Sequence, residues 1–196
     1  IFEEEEGTRL SAAYRDIGRG PGVLLVHGWA ASGEFFDDIA TRLADEFRVI
    51  IPDLRGHGDT PVGPGNASIP DLAEDMDELV RTLGLATVVA LGSSMGATVL
   101  WSMIERHGHD RLAGMIIEDM SPRILNDASW TLGMSSGMDV EASVRATAAM
   151  RADCPGYAAA LAPRMCARHR AAREPQMVAN ALTLLTARNA NAMADL

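Results

Sequence analysis

Residues 88–97 read VVALGSSMGA. Val88, Val89 and Leu91 are β-branched or bulky apolar residues, and they run straight into Gly92-Ser93-Ser94-Met95-Gly96. From Ala97 to about Arg106 the chain is apolar and long enough for a helix. The stretch therefore reads as a buried strand, a sharp turn and a helix start, with G-x-S-x-G centred on Ser94. A serine on so tight a bend sits in strained backbone, and glycines two residues to either side let strand and helix approach. Its hydroxyl then projects at the mouth of the sheet, where a helix N-terminus offers partial positive charge to any anion that forms. The bland alternative is a glycine-rich turn with an inert serine. The flanking segments decide between them.

Upstream, residues 23–32 read VLLVHGWAAS, a continuous apolar run suited to a strand buried on both faces. His27 reads as a core histidine hydrogen-bonded to backbone. The useful element there is main chain: Gly28 directly after the strand lets the Trp29 amide point into the same mouth as Ser94. Residues 33–46 follow as an amphipathic helix with Phe36, Ile39, Ala40 and Leu43 on one face. RVIIPDLRGHGDT at 48–60 is the next strand and loop. Asp53 and His57 lack a third ligand at metal spacing, so Asp53 and Arg55 are expected to tie the loop down through charge-assisted hydrogen bonds. Ser68 is a plausible N-cap, with Pro70 and Asp71 in the first turn, and Leu72, Met76, Leu79, Val80 and Leu83 form a buried stripe that Gly84 ends. At the start of the chain, 1–17 reads as a hairpin turning at Gly7-Thr8, with Glu3–Glu6 as a charged edge. Gly18–Gly22 lacks the lysine and full glycine pattern of a phosphate loop, so it is a turn.

Downstream, His107 and His109 flank Gly108 at a helix C-terminus, and Leu112–Glu118 is another strand. Strands and helices thus alternate from 23 to 119, which predicts a parallel sheet covered on both faces. The alternation stops at Met120. Helical segments follow at about 139–152, 157–170 and 175–193, with Met134, Met138, Met150, Met165, Met177 and Met193 scattered through them. That methionine content suits either an adaptable lid over an apolar substrate or ordinary core filling. The organisation expected is a first part, 1–119, and a helical second part, 120–196.

Composition narrows the classes. The 196 residues are 47% hydrophobic, enough for one packed domain. A net charge of −10 argues against nucleic acid and anionic lipid as partners. All 17 basic residues are arginine. Cys154 and Cys166 stand twelve apart without C-x-x-C spacing, so neither a disulfide framework nor a zinc site is expected, and a reducing, cytoplasmic setting fits. No apolar run reaches membrane-spanning length.

Taken together, HGWAAS at 27–32, DLRGHGDT at 53–60, LGSSMGA at 91–97 and MIIEDMSPR at 115–123 resemble the α/β-hydrolase family, and its esterase, lactonase and cofactor-free haloperoxidase branches in particular. Dehalogenases and epoxide hydrolases of that fold would carry Asp where Ser94 stands. The resemblance implies a mostly parallel sheet with helices on both faces and a helical cap over 120–196. It implies that Ser94 attacks an acyl carbonyl of a small ester or lactone, that the amides of Trp29 and Met95 form the oxyanion hole, and that water releases the acid. Trp29 and Met120 would line the substrate; neither metal nor cofactor is implied. Asp119 matches the place some members use for the acid, the alternative being an ordinary strand-end aspartate. None of His27, His57, His107, His109 or His169 matches the family's catalytic histidine. The expectation is therefore a portion of a longer protein of roughly 250 or more residues. The last strands, the catalytic histidine and the usual acid would lie in a missing C-terminal segment, which could be a second chain. A non-catalytic binding protein on the same fold, and a perhydrolase or haloperoxidase using the same serine, remain the alternatives.

Overall fold

A computed structural model of the chain describes residues 12–63, 67–134, 137–165 and 179. It divides into two compact units, with the boundary between Met120 and Ser121. The first unit holds strands β1 (Tyr14–Ile17), β2 (Gly22–Val26), β3 (Arg48–Pro52), β4 (Val88–Ser93) and β5 (Leu112–Glu118). Its helices are α1 (Asp37–Leu43), entered through a 3-10 turn at Gly33–Phe36, α2 (Ile69–Thr82) and α3 (Met95–His107). The sheet order is β1-β3-β2-β4-β5, parallel throughout except for β1, which runs antiparallel to β3. The predicted hairpin partner of β1 lies outside the described residues.

The apolar runs of β2 and β3 are buried on both faces, as a central parallel strand requires. One face, carrying Leu24, Val26, Ile50, Val88 and Ala90, packs on Leu72, Met76, Leu79 and Val80 of α2 and on Val99, Leu100 and Met103 of α3. The other face, carrying Val23, Leu25, Val49 and Ile51, packs on Phe36 and Ala40. One expectation is corrected here: Ile39 does not share the buried stripe with Phe36 and Ala40 but is 41% exposed. On the same side of the sheet Leu91 of β4 packs against that cluster, while Val89 is 37% exposed and Ile116 52%.

Local chemistry sets the helix limits. Ser68 caps α2 through a full capping box with Asp71, Pro70 sits in its first turn, and Gly84 beyond it has φ +64°. Hydrogen bonding to the Ser68 side chain holds the Asp71 carboxyl below its ordinary value. A buried carboxylate then fixes α2 to the segment that launches β5. Asp77 accepts from Arg81 Nε at 3.1 Å and from Arg111 Nε at 3.0 Å, with His107 Nδ1 at 4.0 Å. Asp77→Ala is expected to cost about 2 kcal/mol, because it strips a buried carboxylate from cations that are themselves partly solvated. Urea unfolding with an unchanged m-value checks this.

The second unit begins with a loop closed by its own side chains. Asn126 donates to the Met134 carbonyl at 3.0 Å and accepts from Gly133 N at 3.0 Å, while Asp127 accepts from the amides of Ser129 and Trp130 and pairs with Arg123. Those bonds, Ser129 first among them, hold the Asp127 carboxyl down at about 2. Helices α4 (Val140–Ala152) and α5 (Cys154–Met165) follow and pack on each other. Of the methionines there, Met150 is buried and Met134 exposed. Cys166, His169 and the predicted helix over 175–193 lie outside the described residues, apart from Ala179.

Candidate active site

The turn between β4 and α3 carries Ser94 at φ 50°, ψ −120°. A residue at a helix N-cap ordinarily has extended backbone and spends its side chain on the first helical amides. Ser94 does neither: it makes no capping hydrogen bond, and it is exposed. Its backbone is fully committed, with the amide donating to the Glu118 carbonyl at 2.9 Å and the carbonyl accepting from Ala97 N at 2.9 Å. Strain is thus held by the ladder to β5 on one side and the first turn of α3 on the other.

The two glycines make room for different neighbours. A Cβ on Gly92 would lie 2.6 Å from the Ala97 backbone at the start of α3. A Cβ on Gly96 would lie 2.1 Å from the Val26 carbonyl and 2.8 Å from that of His27, so its absence lets α3 sit directly against the end of β2. That close approach brings the segment after β2 to the serine: a Cβ on Gly28 would stand 3.1 Å from Ser94 Cβ and 3.7 Å from its Oγ. Trp29 is half-buried against the larger core, and Ala30 after it has φ 57°. Met95 is the first residue of α3, where an amide has no intrahelical acceptor.

Beneath this mouth lie two imidazoles. His27 is fully buried; its Nδ1 lies 2.8 Å from the Gly28 carbonyl, and its Nε2 accepts from Leu54 N at 3.0 Å. Burial, partly offset by the bond to Gly28, pushes its pKa down to about 4. The His57 ring packs on it at 5.3 Å and 59°, with Nδ1 3.1 Å from the Arg55 carbonyl, and burial lowers its pKa as well. Asp53 and Arg55 secure the loop as expected but through separate partners. Asp53 accepts from Gly33 N at 2.7 Å and Asp59 N at 2.8 Å, whereas Arg55 pairs with Asp75 on α2 at 2.6 Å. Among the described residues no group of three potential ligands could hold a metal ion, and no helix is long and apolar enough to cross a membrane.

Asp119 follows β5 directly, exposed and at φ 48°, one residue beyond the Glu118 carbonyl that holds the Ser94 amide. Met120, half-buried, ends the first unit. Ala30, Ser94 and Asp119 are the non-glycine residues with positive φ among those described, and all three follow the carboxyl ends of adjacent parallel strands. In open α/β sheets that edge is where ligands bind.

The alpha/beta hydrolase fold family model matches residues 21–139. The chain belongs to the α/β-hydrolase family. Among relatives of this hydrolase-fold chain, the non-heme chloroperoxidase CPO-A1 of Kitasatospora aureofaciens is 33% identical over 114 residues, 57% of this chain and 41% of that protein. The pimeloyl-[acyl-carrier protein] methyl ester esterase of Chromobacterium violaceum is 32% identical over 114 residues, 58% of this chain and 42% of its own. A thermophilic esterase from Thermogutta terrifontis superposes with a TM-score of 0.78 at 32% identity, covering 95% of this chain and 65% of the esterase. A bromoperoxidase from Bacillus anthracis gives 0.85 at 20% identity, over 95% of this chain and 68% of its own, a likeness of fold. This α/β-hydrolase chain thus spans about two fifths of the length of the curated relatives it matches.

From the residues alone His27 is a core histidine and the main chain after β2 is the useful element; the structure adds that the imidazole joins Gly28 to the Leu54 amide in the loop after β3.

Proposed function

We propose that this chain carries the nucleophile half of a serine hydrolase acting on small carboxylic esters or lactones. The observation that carries the reading is Ser94 itself: an exposed hydroxyl on strained backbone, excused from capping α3 and lying against Gly28. Its Oγ attacks the acyl carbon, its proton passes to a base, and the carbonyl oxygen becomes an anion facing the amides of Met95 and Trp29. Each such donor typically lowers the barrier by about 3 kcal/mol. Collapse expels the alcohol and leaves an acyl-enzyme, which water hydrolyses to the acid. The imidazole base comes from a segment outside this chain, in keeping with the fraction of its relatives that the chain spans. Asp119 is the candidate acid within it. The cap is assigned to residues 120–196, and Trp29 and Met120 to the lining of the acyl site.

A fluorophosphonate should label the full-length protein covalently, and Ser94→Ala should abolish labelling while leaving the melting temperature within a degree or two. Labelling that survives the substitution overturns the reading. The relatives named chloroperoxidase and haloperoxidase favour one second reading, a perhydrolase on the same acyl-enzyme. Peroxide-dependent bromination, lost in Ser94→Ala, separates it from simple ester hydrolysis.

A further inference from the structure

His27 is positioned to do more than fill the core. Its two ring nitrogens touch two different main-chain segments, and the chemistry of those contacts fixes its tautomer. The Leu54 amide can only donate, so the Nε2 it approaches at 3.0 Å carries a lone pair. In a neutral ring the proton then sits on Nδ1, and Nδ1–H donates to the Gly28 carbonyl at 2.8 Å.

The Gly28 carbonyl belongs to the same peptide unit as the Trp29 amide. The described chain has no cis peptide bond, so across this unit the C=O and N–H point in opposite directions. A ring that draws the carbonyl into the core therefore turns the amide outward. Ser94 lies beside this unit: a Cβ on Gly28 would stand 3.1 Å from Ser94 Cβ and 3.7 Å from its Oγ. The other bond on that carbonyl, from Ala31 N, is longer at 3.3 Å. The imidazole is its shorter restraint.

We infer that His27 is the positioning residue of the oxyanion hole: its Nδ1–H holds the Gly28–Trp29 peptide so that the Trp29 amide faces the anion formed at Ser94. The inference rests on the acyl-enzyme reading above and names a residue that acts through the main chain rather than on substrate. The anchor behind it is equally built. Leu54 N belongs to the loop that Asp53 bonds to Gly33 N and that the Arg55–Asp75 pair fixes to α2, so the ring is braced against the body of the sheet. His57 packs against its face.

Two substitutions divide the two bonds. The Asn side-chain nitrogen falls where Nδ1 stands, so His27→Asn keeps the donor to Gly28 and loses the acceptor for Leu54. The Gln amide reaches to Nε2, so His27→Gln keeps the Leu54 bond and loses the donor. Each empties part of the ring volume and breaks one bond, so both should lower the melting temperature by similar amounts. Hydrolysis of p-nitrophenyl acetate by the full-length protein should split them. For His27→Gln we expect kcat to fall about 100-fold with KM within twofold, the signature of a donor lost in the transition state. For His27→Asn we expect rescue to within about fivefold. Parallel losses of kcat in both variants, in step with their melting temperatures, would make the role structural and overturn the inference, as would two unaffected variants.

The Trp29 backbone 1H–15N resonance gives a readout that does not depend on turnover. It should shift or broaden in His27→Gln and stay in place in His27→Asn; the same response in both rejects positioning. If the wild-type protein neither labels nor turns over ester, the serine-hydrolase reading fails on that result alone. The amide resonance still decides whether His27 aims the peptide.

Discussion

Gly96→Ala should abolish soluble, folded protein or cost more than about 3 kcal/mol, well beyond the usual loss for a glycine-to-alanine change. The added carbon would stand 2.1 Å from the Val26 carbonyl oxygen and 2.8 Å from that of His27, backbone atoms of the last residue of β2 and the one that follows it. A flexible side chain could swing aside; a strand bonded on both edges cannot. Relief would require α3 to lift from β2, and α3 buries Val99, Leu100 and Met103 in the larger core. Two controls isolate the cause. Gly114→Ala on β5 meets nothing within 4 Å and should be neutral to within about 0.5 kcal/mol. Gly84→Ala, with open space but φ +64°, should cost only the ordinary left-handed penalty of about 1 kcal/mol. Urea unfolding of the three variants, or their soluble yields, checks the order. A Gly96→Ala protein as stable as Gly114→Ala would mean that α3 does not sit against β2 as described, and Gly28 would lose its place beside Ser94.

That dependence shows why so much of the site could be read from residues. G-x-S-x-G flanked by a strand and a helix is a local pattern, and β4, Ser94 and α3 fall where it puts them. The α2 limits were equally legible, because Ser68, Pro70, Asp71 and Gly84 act within one turn of themselves. What the pattern could not supply was which neighbour each glycine makes room for: Gly96 faces a carbonyl seventy residues away in the chain, a contact set by strand order. Ile39 failed for the same reason. Its spacing matches Phe36 and Ala40, but of the three only those two are buried against the sheet. The partners of Asp53 and Arg55 divided between Gly33 and Asp75 because the loop they share is wedged between the start of one helix and the side of another. His27 is buried and bonded to backbone, as its place at the end of an apolar run implies. Its consequence for Trp29 is a property of two hydrogen bonds that no spacing encodes.

The burial of that same ring makes the protein acid-sensitive in a window that carboxylates do not explain. Native His27 is neutral and titrates at about 4, against 6.5 in an unfolded chain, because burial penalises its charged form. Below pH 6.5 the unfolded state takes up a proton that the folded state refuses, so stability falls as pH drops from 6.5 toward 4 and flattens below. The contribution is complete above 6.5. Over the whole window it amounts to about 3 kcal/mol, of which about 2 kcal/mol is gone by pH 5. His57, also lowered by burial and in ring contact with His27, adds loss of the same sign, and nearby Asp53 opposes both by favouring their charged forms. The lowered carboxyls of Asp71 and Asp127 act only below their own ordinary value of 3.8, outside this range. Protonating Nε2 would also set an N–H against the Leu54 amide, so acid should loosen the Gly28–Trp29 peptide before it unfolds the sheet. Urea midpoints at pH 7.5 and pH 5 should therefore differ in the native protein, and the difference should shrink by about 2 kcal/mol in His27→Gln, which has no ring to charge. A wild-type stability that is flat across that interval would require a solvated His27, and with it a Gly28 carbonyl released from the core.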